Sequence, residues 1–351
     1  MKMFPEISVL VTAVGNMGVG EQIVKSLRLS ALNVSIVGID ISAFNIVHEN
    51  LDFFYEVSSR DGDEKMRCIS KIISDHAIKM VFVGCENDYM FFHRHRSYFE
   101  SKSVYLAINS DFLSSFAFDK QKTYCYLMEK GVCIPRFWKI DTPDDCNRIQ
   151  IFPVVIKPNR NASGSRNVYI AFNQTEAWHL ASYMLSRKID IVAQEYVGDA
   201  DSEYTISVTS NLAGEVLGNI IIKRNFDASI TYRDKIRKGN RVYVVASGIT
   251  QGMALHDEKI EKQVISIAQC LDSRFSVNIQ GMFVNGKFML IEVHPTLTGS
   301  VYIRALAGYN EPANLIKREL LNEKTTYKYD DVQIVRRLTC EAVKYRKEGD
   351  R

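Results

Sequence analysis

The chain is poor in the residues that interrupt or staple a fold. It has 7 prolines and 19 glycines in 351 positions, too few for a collagen-like or low-complexity chain. Its 7 cysteines, at 68, 85, 125, 133, 146, 270 and 340, are odd in number and scattered. There is no C-x-x-C pair and no histidine at zinc-finger spacing, so neither a disulfide framework nor a structural zinc site is expected. Reduced thiols in a cytoplasmic protein fit this pattern. No apolar run approaches the roughly 18 residues that a membrane span requires. Met1-Lys2-Met3 passes through Pro5-Glu6 into a strand-like run, without the pattern of a secretion leader. Charge of one sign is also lacking: 44 Lys and Arg oppose 41 Asp and Glu, leaving +3. That surplus gives no reason to expect nucleic acid as a partner, and no tandem repeat of about 20–50 residues is present.

What remains is 46% hydrophobic, 11% aromatic and 24% charged, the composition of a globular chain longer than one ordinary domain of about 100–200 residues. The first third alternates short apolar runs with amphipathic segments. This predicts a parallel sheet covered by helices, with strands at 7–14, 34–40, 80–84 and 104–108 and helices at 21–29, 63–76 and 87–100. We place this unit at 1–115. A helix is predicted over 119–131, capped by Asp119 and ended by Gly131. A small α+β unit then extends to 200, with strands at 154–158, 167–172 and 190–197 around a helix at 175–187. A larger sheet-rich unit spans 201–345, with a helix at 257–272 and a last strand near 329–337. Asn285-Gly286 reads as a hairpin turn.

Val14-Gly15-Asn16-Met17-Gly18-Val19-Gly20 joins a strand to a helix, with Asp40 beyond it. The glycines run G-x-x-G-x-G, not the G-x-G-x-x-G of dinucleotide sites, so a tight turn with close strand–helix packing is the preferred reading. Glu86-Asn87-Asp88 falls at the carboxyl edge of a predicted parallel strand, as a substrate wall or a helix cap.

Chemistry gathers further on. Lys120 opens a helix, and Lys157 ends the strand VVIKP, where Pro158 turns the chain out of the sheet. The polar segment 159–166, with Ser163, Gly164 and Ser165, suits a phosphate-covering loop or an ordinary turn. Glu195, Tyr196 and Val197 end a strand whose backbone can address an adenine edge, and Glu203 follows as an acceptor for ribose hydroxyls. Gln280, Glu292 and His294 alternate on neighbouring strands and can share one face. An acid in so apolar a strand as Glu292's needs a partner or a cation.

VVIKP, the Gly/Ser loop, QEYV, SEYT, the Gln280 strand and IEVHP occur in this order, and together they resemble the ATP-grasp superfamily. The resemblance is to the branch similar to the carbamoyl phosphate synthase large subunit and stand-alone carboxylate–amine ligases. It implies a mixed α/β and α+β architecture: an N-terminal Rossmann-like pre-ATP-grasp domain followed by a two-lobed ATP-grasp fold, with lobes at 116–200 and 201–345. It implies that Lys120, Lys157 and Ser163–Ser165 contact ATP phosphates, that Glu195–Val197 form the adenine hinge, and that Glu203 binds ribose. It places Gln280, Glu292 and His294 as ligands of Mg²⁺ or Mn²⁺, and Lys235 and Arg237 near the reacting phosphates.

The family's E-x-N-P-R motif reads Glu292-Val293-His294-Pro295-Thr296 here. Imidazole is a poorer partner for Mg²⁺ than an amide oxygen, and Arg304 is the proposed replacement for the missing guanidinium. The implied activity is ADP-forming ligation of a small-molecule carboxylate to an amine, or to a thiol, through an acyl phosphate. A homodimer is compatible with the resemblance. The rival readings are a degenerate ATP-binding regulator or scaffold and a nicotinamide-dependent dehydrogenase.

Overall fold

The computed structural model describes residues 7–15, 17–43, 50–57, 62–160 and 163–336. In the first unit the apolar runs become β1 (Ile7–Thr12), followed by α1 (Val19–Arg28), β2 (Val34–Asp40), β3 (Phe53–Glu56), α2 (Asp63–Asp75), β4 (Met80–Phe82), α3 (Glu86–Arg94), α4 (Arg96–Ser101) and β5 (Tyr105–Ala107). The strands pair in parallel in the order β3-β2-β1-β4-β5. Strand order therefore reverses between β1 and β4, whose carboxyl ends form the crevice where such sheets hold ligands. The turn after β1 packs as tightly as its glycines suggest, since a Cβ on Gly20 or on Gly84 would lie 2.2 Å from the Thr12 carbonyl oxygen.

Two local expectations change. The helix expected over 87–100 is two helices that meet at His95 (φ −107°, ψ 19°), and Phe91, Phe92 and Phe99 all enter one core. β3 was not expected, because its FFYE sequence is largely exposed at a sheet edge and has no apolar–polar alternation.

The first unit closes with α5 (Asp111–Ser114), and the second comprises α6 (Lys120–Glu129), β6 (Phe137–Ile140), β7 (Val154–Pro158), β8 (Tyr169–Ala171), α7 (Gln174–Ser186) and β9 (Ile191–Glu195). The Asp119 carboxylate accepts from the Lys122 N–H, and Gly131, at φ +80°, ends α6 as its sequence predicts. The antiparallel order is β6-β9-β7-β8, with Ala177, Ala181 and Met184 of α7 buried against the sheet.

The third unit runs through β10 (Glu203–Ser210), β11 (Val216–Arg224), β12 (Tyr232–Lys238), β13 (Arg241–Ala246), β14 (Gly252–Leu255), α8 (Glu258–Cys270), β15 (Ser276–Val284), β16 (Lys287–His294), α9 (Val301–Leu306), α10 (Glu311–Glu319) and β17 (Val332–Ile334). Six of its strands form an antiparallel sheet ordered β16-β15-β10-β11-β14-β17, and β12 and β13 stand apart as a hairpin. The basic run 233–238 is thus part of a strand. Its Ile236 opposes Tyr243 across the hairpin and packs into the core that Tyr243 enters. Asn285 (φ +51°) and Gly286 (φ +76°) make the predicted tight turn between β15 and β16. α8 covers one face of the six-stranded sheet. α9 contributes to the core on the other face and, with α10, to the core of the parallel sheet.

Asn109, fully buried just beyond β5, joins the first unit to the third. Its Nδ2 donates to the carbonyls of Ser276 and Pro295, both at 3.0 Å. Its Oδ1 accepts from Ser273 Oγ and from the Arg274 N–H at 2.8 Å. Asn109→Ala leaves these groups buried without partners and is expected to cost about 2–4 kcal/mol. Urea unfolding of the variant against the parent chain checks this, and a loss below ~0.5 kcal/mol would contradict the clamp.

Candidate functional site

A cleft opens between the four-stranded and six-stranded sheets, with β13 along its side. It encloses about 760 Å³, counting space open to solvent. Its lining combines apolar side chains, among them Val155, Val168, Val197, Val244, Ala246 and Met282, with Glu195, Glu203 and a charged cluster of Lys120, Lys157 and Glu292 beside Gln280.

The charged cluster is built from all three units. α6 starts at Lys120, so the helix cap that fixes Asp119 also fixes the lysine beside it. Lys120 Nζ lies 2.8 Å from Glu292 Oε1, and His294 Nε2 lies 3.2 Å from Glu292 Oε2. Gln280 pairs directly opposite Glu292 across β15 and β16, and Asn278 pairs opposite His294. Burial alone would raise the Glu292 carboxyl, but Lys120, His294 and Lys157 outweigh it and hold the group well below the usual carboxylate range.

Lys157 is 5% exposed. Its Nζ donates to Gln194 Oε1 at 2.7 Å and lies 5.6 Å from the centre of the Tyr124 ring. Burial, with Lys120 adding to it, pulls this lysine down to about 7, against the opposing pull of Glu292 and Glu203. From the first unit, Glu86 at the start of α3 joins the same field. Burial and Glu292 raise its carboxyl, while Lys120 and His294 lower it. Cys85, not Glu86, occupies the cap position of α3, which leaves Glu86 free of the capping role.

The segment after β9 lines the cleft. The Tyr196 N–H is taken by the Pro153 carbonyl and the Tyr196 hydroxyl by the Val244 N–H, both at 3.0 Å. Among the described residues the Val197 N–H donates to no backbone or side-chain acceptor. Glu203 also lines the cleft, where its Oε1 accepts from Arg224 Nη1 at 2.8 Å in a buried pair.

The other residues singled out from sequence separate. Ser165 lines the cleft, within the turn Ser163–Ser165, where Gly164 has φ +65°. The Gly164 carbonyl accepts from Arg233 Nε at 2.6 Å, tying this loop to β12. Lys235 and Arg237 lie on the exposed side of β12 and are not cleft residues; Lys235 Nζ donates to the Phe226 carbonyl at 2.8 Å. Arg304 does not fit the role of a phosphate-contacting guanidinium. It is fully buried in α9, paired with Glu311 at 3.2 Å and bonded to Asn278. Sequence reasoning gave no role to Gln194 or Tyr124. Gln194 carries the signal used for Glu292, a polar residue in an apolar strand, and Tyr124 lies one helical turn from Lys120.

In the first glycine turn, Asp40 Oδ2 accepts from the Gly15 N–H at 2.9 Å and Asp40 Oδ1 from the Ile41 N–H at 2.7 Å. The acid that a dinucleotide site would offer to ribose is bonded to its own loop. Among the described residues no three His, Cys, Asp or Glu side chains converge to hold a metal, and no helix is long and apolar enough to cross a membrane.

A parallel sheet followed by two antiparallel sheets, with a cleft between the latter, recurs in solved structures. D-alanine–D-alanine ligase from Bacillus anthracis superposes with a TM-score of 0.60 at 17% identity, covering 90% of this chain and 97% of that one. This is the ATP-grasp fold. L-amino acid ligase from Bacillus licheniformis shares it, with a TM-score of 0.59 at 16% identity over 91% of this chain and 75% of that one. So does the biotin carboxylase domain dimer of 2-oxoglutarate carboxylase from Hydrogenobacter thermophilus, in complex with MgADP, ADP and bicarbonate. There the TM-score is 0.63 at 15% identity, over 95% of this chain and 73% of that one. No family model and no curated protein matches the chain.

Within this cleft, the desolvated Lys157 has a measurable signature. Its folded value of about 7 lies below the ~10.4 of an unfolded lysine, so between these values the unfolded chain binds more protons and stability rises with pH. That gain is complete above the unfolded value and is lost as pH falls through about 7. The stability of the parent chain relative to Lys157→Met is therefore expected to climb from pH 7 to pH 10. Denaturant titrations at several pH values measure it, and a flat difference would mean that Lys157 is solvated.

Proposed function

We propose that the chain is an ATP-dependent ligase that joins a small-molecule carboxylate to an amine, or to a thiol, with release of ADP and phosphate. The observation that carries this reading is a single cleft whose apolar lining adjoins a charged cluster of Lys120, Lys157 and Glu292. The apolar lining, with the unbonded Val197 N–H, suits a flat heterocycle, and the lysine cluster suits phosphates. The solved relatives add support: the Bacillus anthracis ligase has been crystallised with ATP and the Hydrogenobacter domain with MgADP.

In this reading Glu195 and Val197 present backbone groups to adenine, with Tyr196 bracing the segment against β13. Glu203, oriented by Arg224, keeps its second oxygen for ribose. Lys120, Lys157 and the Ser163–Ser165 turn hold the phosphates, and their positive charge favours the extra negative charge that builds on the reacting phosphoryl group. Glu86 stands on the amine side, at the edge the first unit (1–115) contributes to the cleft between the lobes 116–200 and 201–345. Lys235, Arg237 and Arg304 carry no step.

Mg²⁺ characteristically takes one or two carboxylates together with substrate phosphates. One carboxylate, Glu292, opposite one amide, Gln280, fits that habit, and His294 adds a nitrogen donor that Mn²⁺ accepts more readily. The metal would neutralise phosphate charge there. Activation precedes joining, because an amine cannot expel oxide from a free carboxylate. The carboxylate oxygen attacks the γ-phosphorus, ADP departs, and the amine then displaces phosphate from the acyl carbon.

A second reading, a nucleotide-binding regulator without turnover, is favoured by one observation: both oxygens of Glu292 are engaged by side chains of the protein. The two are separated by measuring ADP and phosphate with ATP and Mg²⁺ or Mn²⁺ across pools of amino acids and sugar acids, with mass spectrometry of products. A pool-dependent condensation product supports the ligase. Nucleotide binding without ADP release in any pool favours the regulator. For the ligase, Glu292→Gln is expected to lower turnover by about a hundredfold or more with the fold intact, and unchanged turnover would remove Glu292 from the metal site. His294→Asn is expected to keep or raise Mg²⁺-supported turnover. Its complete loss would give the imidazole a role of its own.

A further inference from the structure

A second cavity lies apart from the cleft, beside the open edge of the parallel sheet. It encloses about 1020 Å³, counting space open to solvent, and shares no lining residue with the cleft. One wall is the stretch from Ser103 to Ser110, which includes β5, and the other is Leu212, Arg274 and Leu320 of the third unit. Arg96 and Glu100 of α4 complete it. Val104, Leu106, Ile108, Leu212 and Leu320 give it a large apolar surface. Leu212 keeps 56% of its surface in solvent, so an occupant that covers it gains apolar burial.

Three hydrogen-bond donors from different elements stand in this apolar surface. Arg96 Nη2 donates to the Asn109 carbonyl. Its Nε is buried without a hydrogen-bond acceptor, and Asp111 Oδ1 meets it at 3.0 Å only as an ion contact. Its Nη1 lies 3.8 Å from Glu100 Oε1, beyond hydrogen-bond reach. Arg274 is pinned: Nη1 donates to the Leu212 carbonyl at 2.8 Å, Nη2 lies 2.6 Å from Asp272 Oδ1, and a Cβ on Gly214 would come within 3.3 Å of its Cζ. Its Nε donates to no acceptor among the described residues. The third donor is backbone. β5 is bonded to β4 alone, and since the Tyr105 N–H turns to the Lys79 carbonyl on that side, the Leu106 N–H points to the open edge.

The charge is positive on balance. Two guanidiniums and one carboxylate line the cavity, and the acids paired with the arginines, Asp111 and Asp272, are 74% and 42% exposed, where solvent screens them. Glu100 opposes a second negative charge on an occupant. We propose that this cavity is a second ligand site, for a small monocarboxylic acid with a short apolar tail. The carboxylate meets the two arginines and the Leu106 N–H, and the tail covers Leu212 and Leu320. The site goes beyond the ligase reading and does not rest on it. Because the two cavities share no lining residue, an acid held here does not touch Lys120 or Glu292 and is bound without being consumed.

The probe is isocaproate, titrated calorimetrically into the full chain, with isohexanol as its uncharged counterpart. Saturable binding of the acid at about millimolar affinity is expected for a ligand of about eight heavy atoms, with the alcohol about tenfold weaker or more. Arg274→Gln should weaken acid binding about tenfold or more, as loss of a charge-assisted hydrogen bond does, and Arg274→Lys should recover part of it. Leu212→Ser alters an exposed side chain and leaves the Leu212 carbonyl to Arg274. It should weaken acid binding about threefold or more through lost apolar cover, with the thermal midpoint unchanged. A saturating non-hydrolysable ATP analogue should leave the acid bound. Absence of saturable binding, an alcohol bound as tightly as the acid, undiminished affinity in Arg274→Gln or in Leu212→Ser, or displacement of the acid by the analogue overturns the proposal.

Discussion

Everything in the charged cluster of the cleft depends on the carboxylate of Glu292 remaining ionised away from bulk water. Neither sheet supplies that condition alone. The carboxylate comes from β16 of the large lobe, Lys120 from the start of α6, and Lys157 from β7 of the small lobe. Removing any one cation leaves a buried charge under-compensated, and such a deficit costs several kcal/mol in general. The lobes are therefore held in register by charge balance as well as by apolar contact.

Around this centre the structure divides into parts joined in different ways. The first unit and the large lobe share a core in which Val301, Leu315 and Ile316 pack with β1 and α1, and Asn109 fastens the two with four hydrogen bonds. The small lobe has its own core. It meets the hairpin through a shared core in which Ile170 and Tyr196 pack with Tyr243 and Val245, and through polar links, Arg233 to Gly164 and Arg241 to Gly198.

Most of the framework was legible because it is written in local patterns. The buried strands VLVT and VSIVGID, the Asp119 cap, the Asn285-Gly286 turn and the Glu292 acid in an apolar strand all state their environment within a few residues. What was not legible depends on distant partners. β3 and β12 become strands because β2 and β13 pair with them, and no alternation in FFYE or YRDKIRK announces this. Arg304 was assigned to the reacting end from its nearness in sequence to Glu292, but α9 turns it inward to Glu311. Arg96 and Arg274 gave no signal, since they share a cavity only once β5 and the third unit meet.

The turn after β1 has one more consequence. Its Gly15 N–H donates to a carboxylate, Asp40, delivered by the neighbouring strand. A tethered anion competes at an effective concentration in the millimolar range or above, and a free dinucleotide must displace it while bringing more negative charge beside it. The first unit thus occupies, with its own carboxylate, an N–H that a dinucleotide would have to reach. The same Rossmann-like scaffold is left to serve as a wall for another lobe's chemistry.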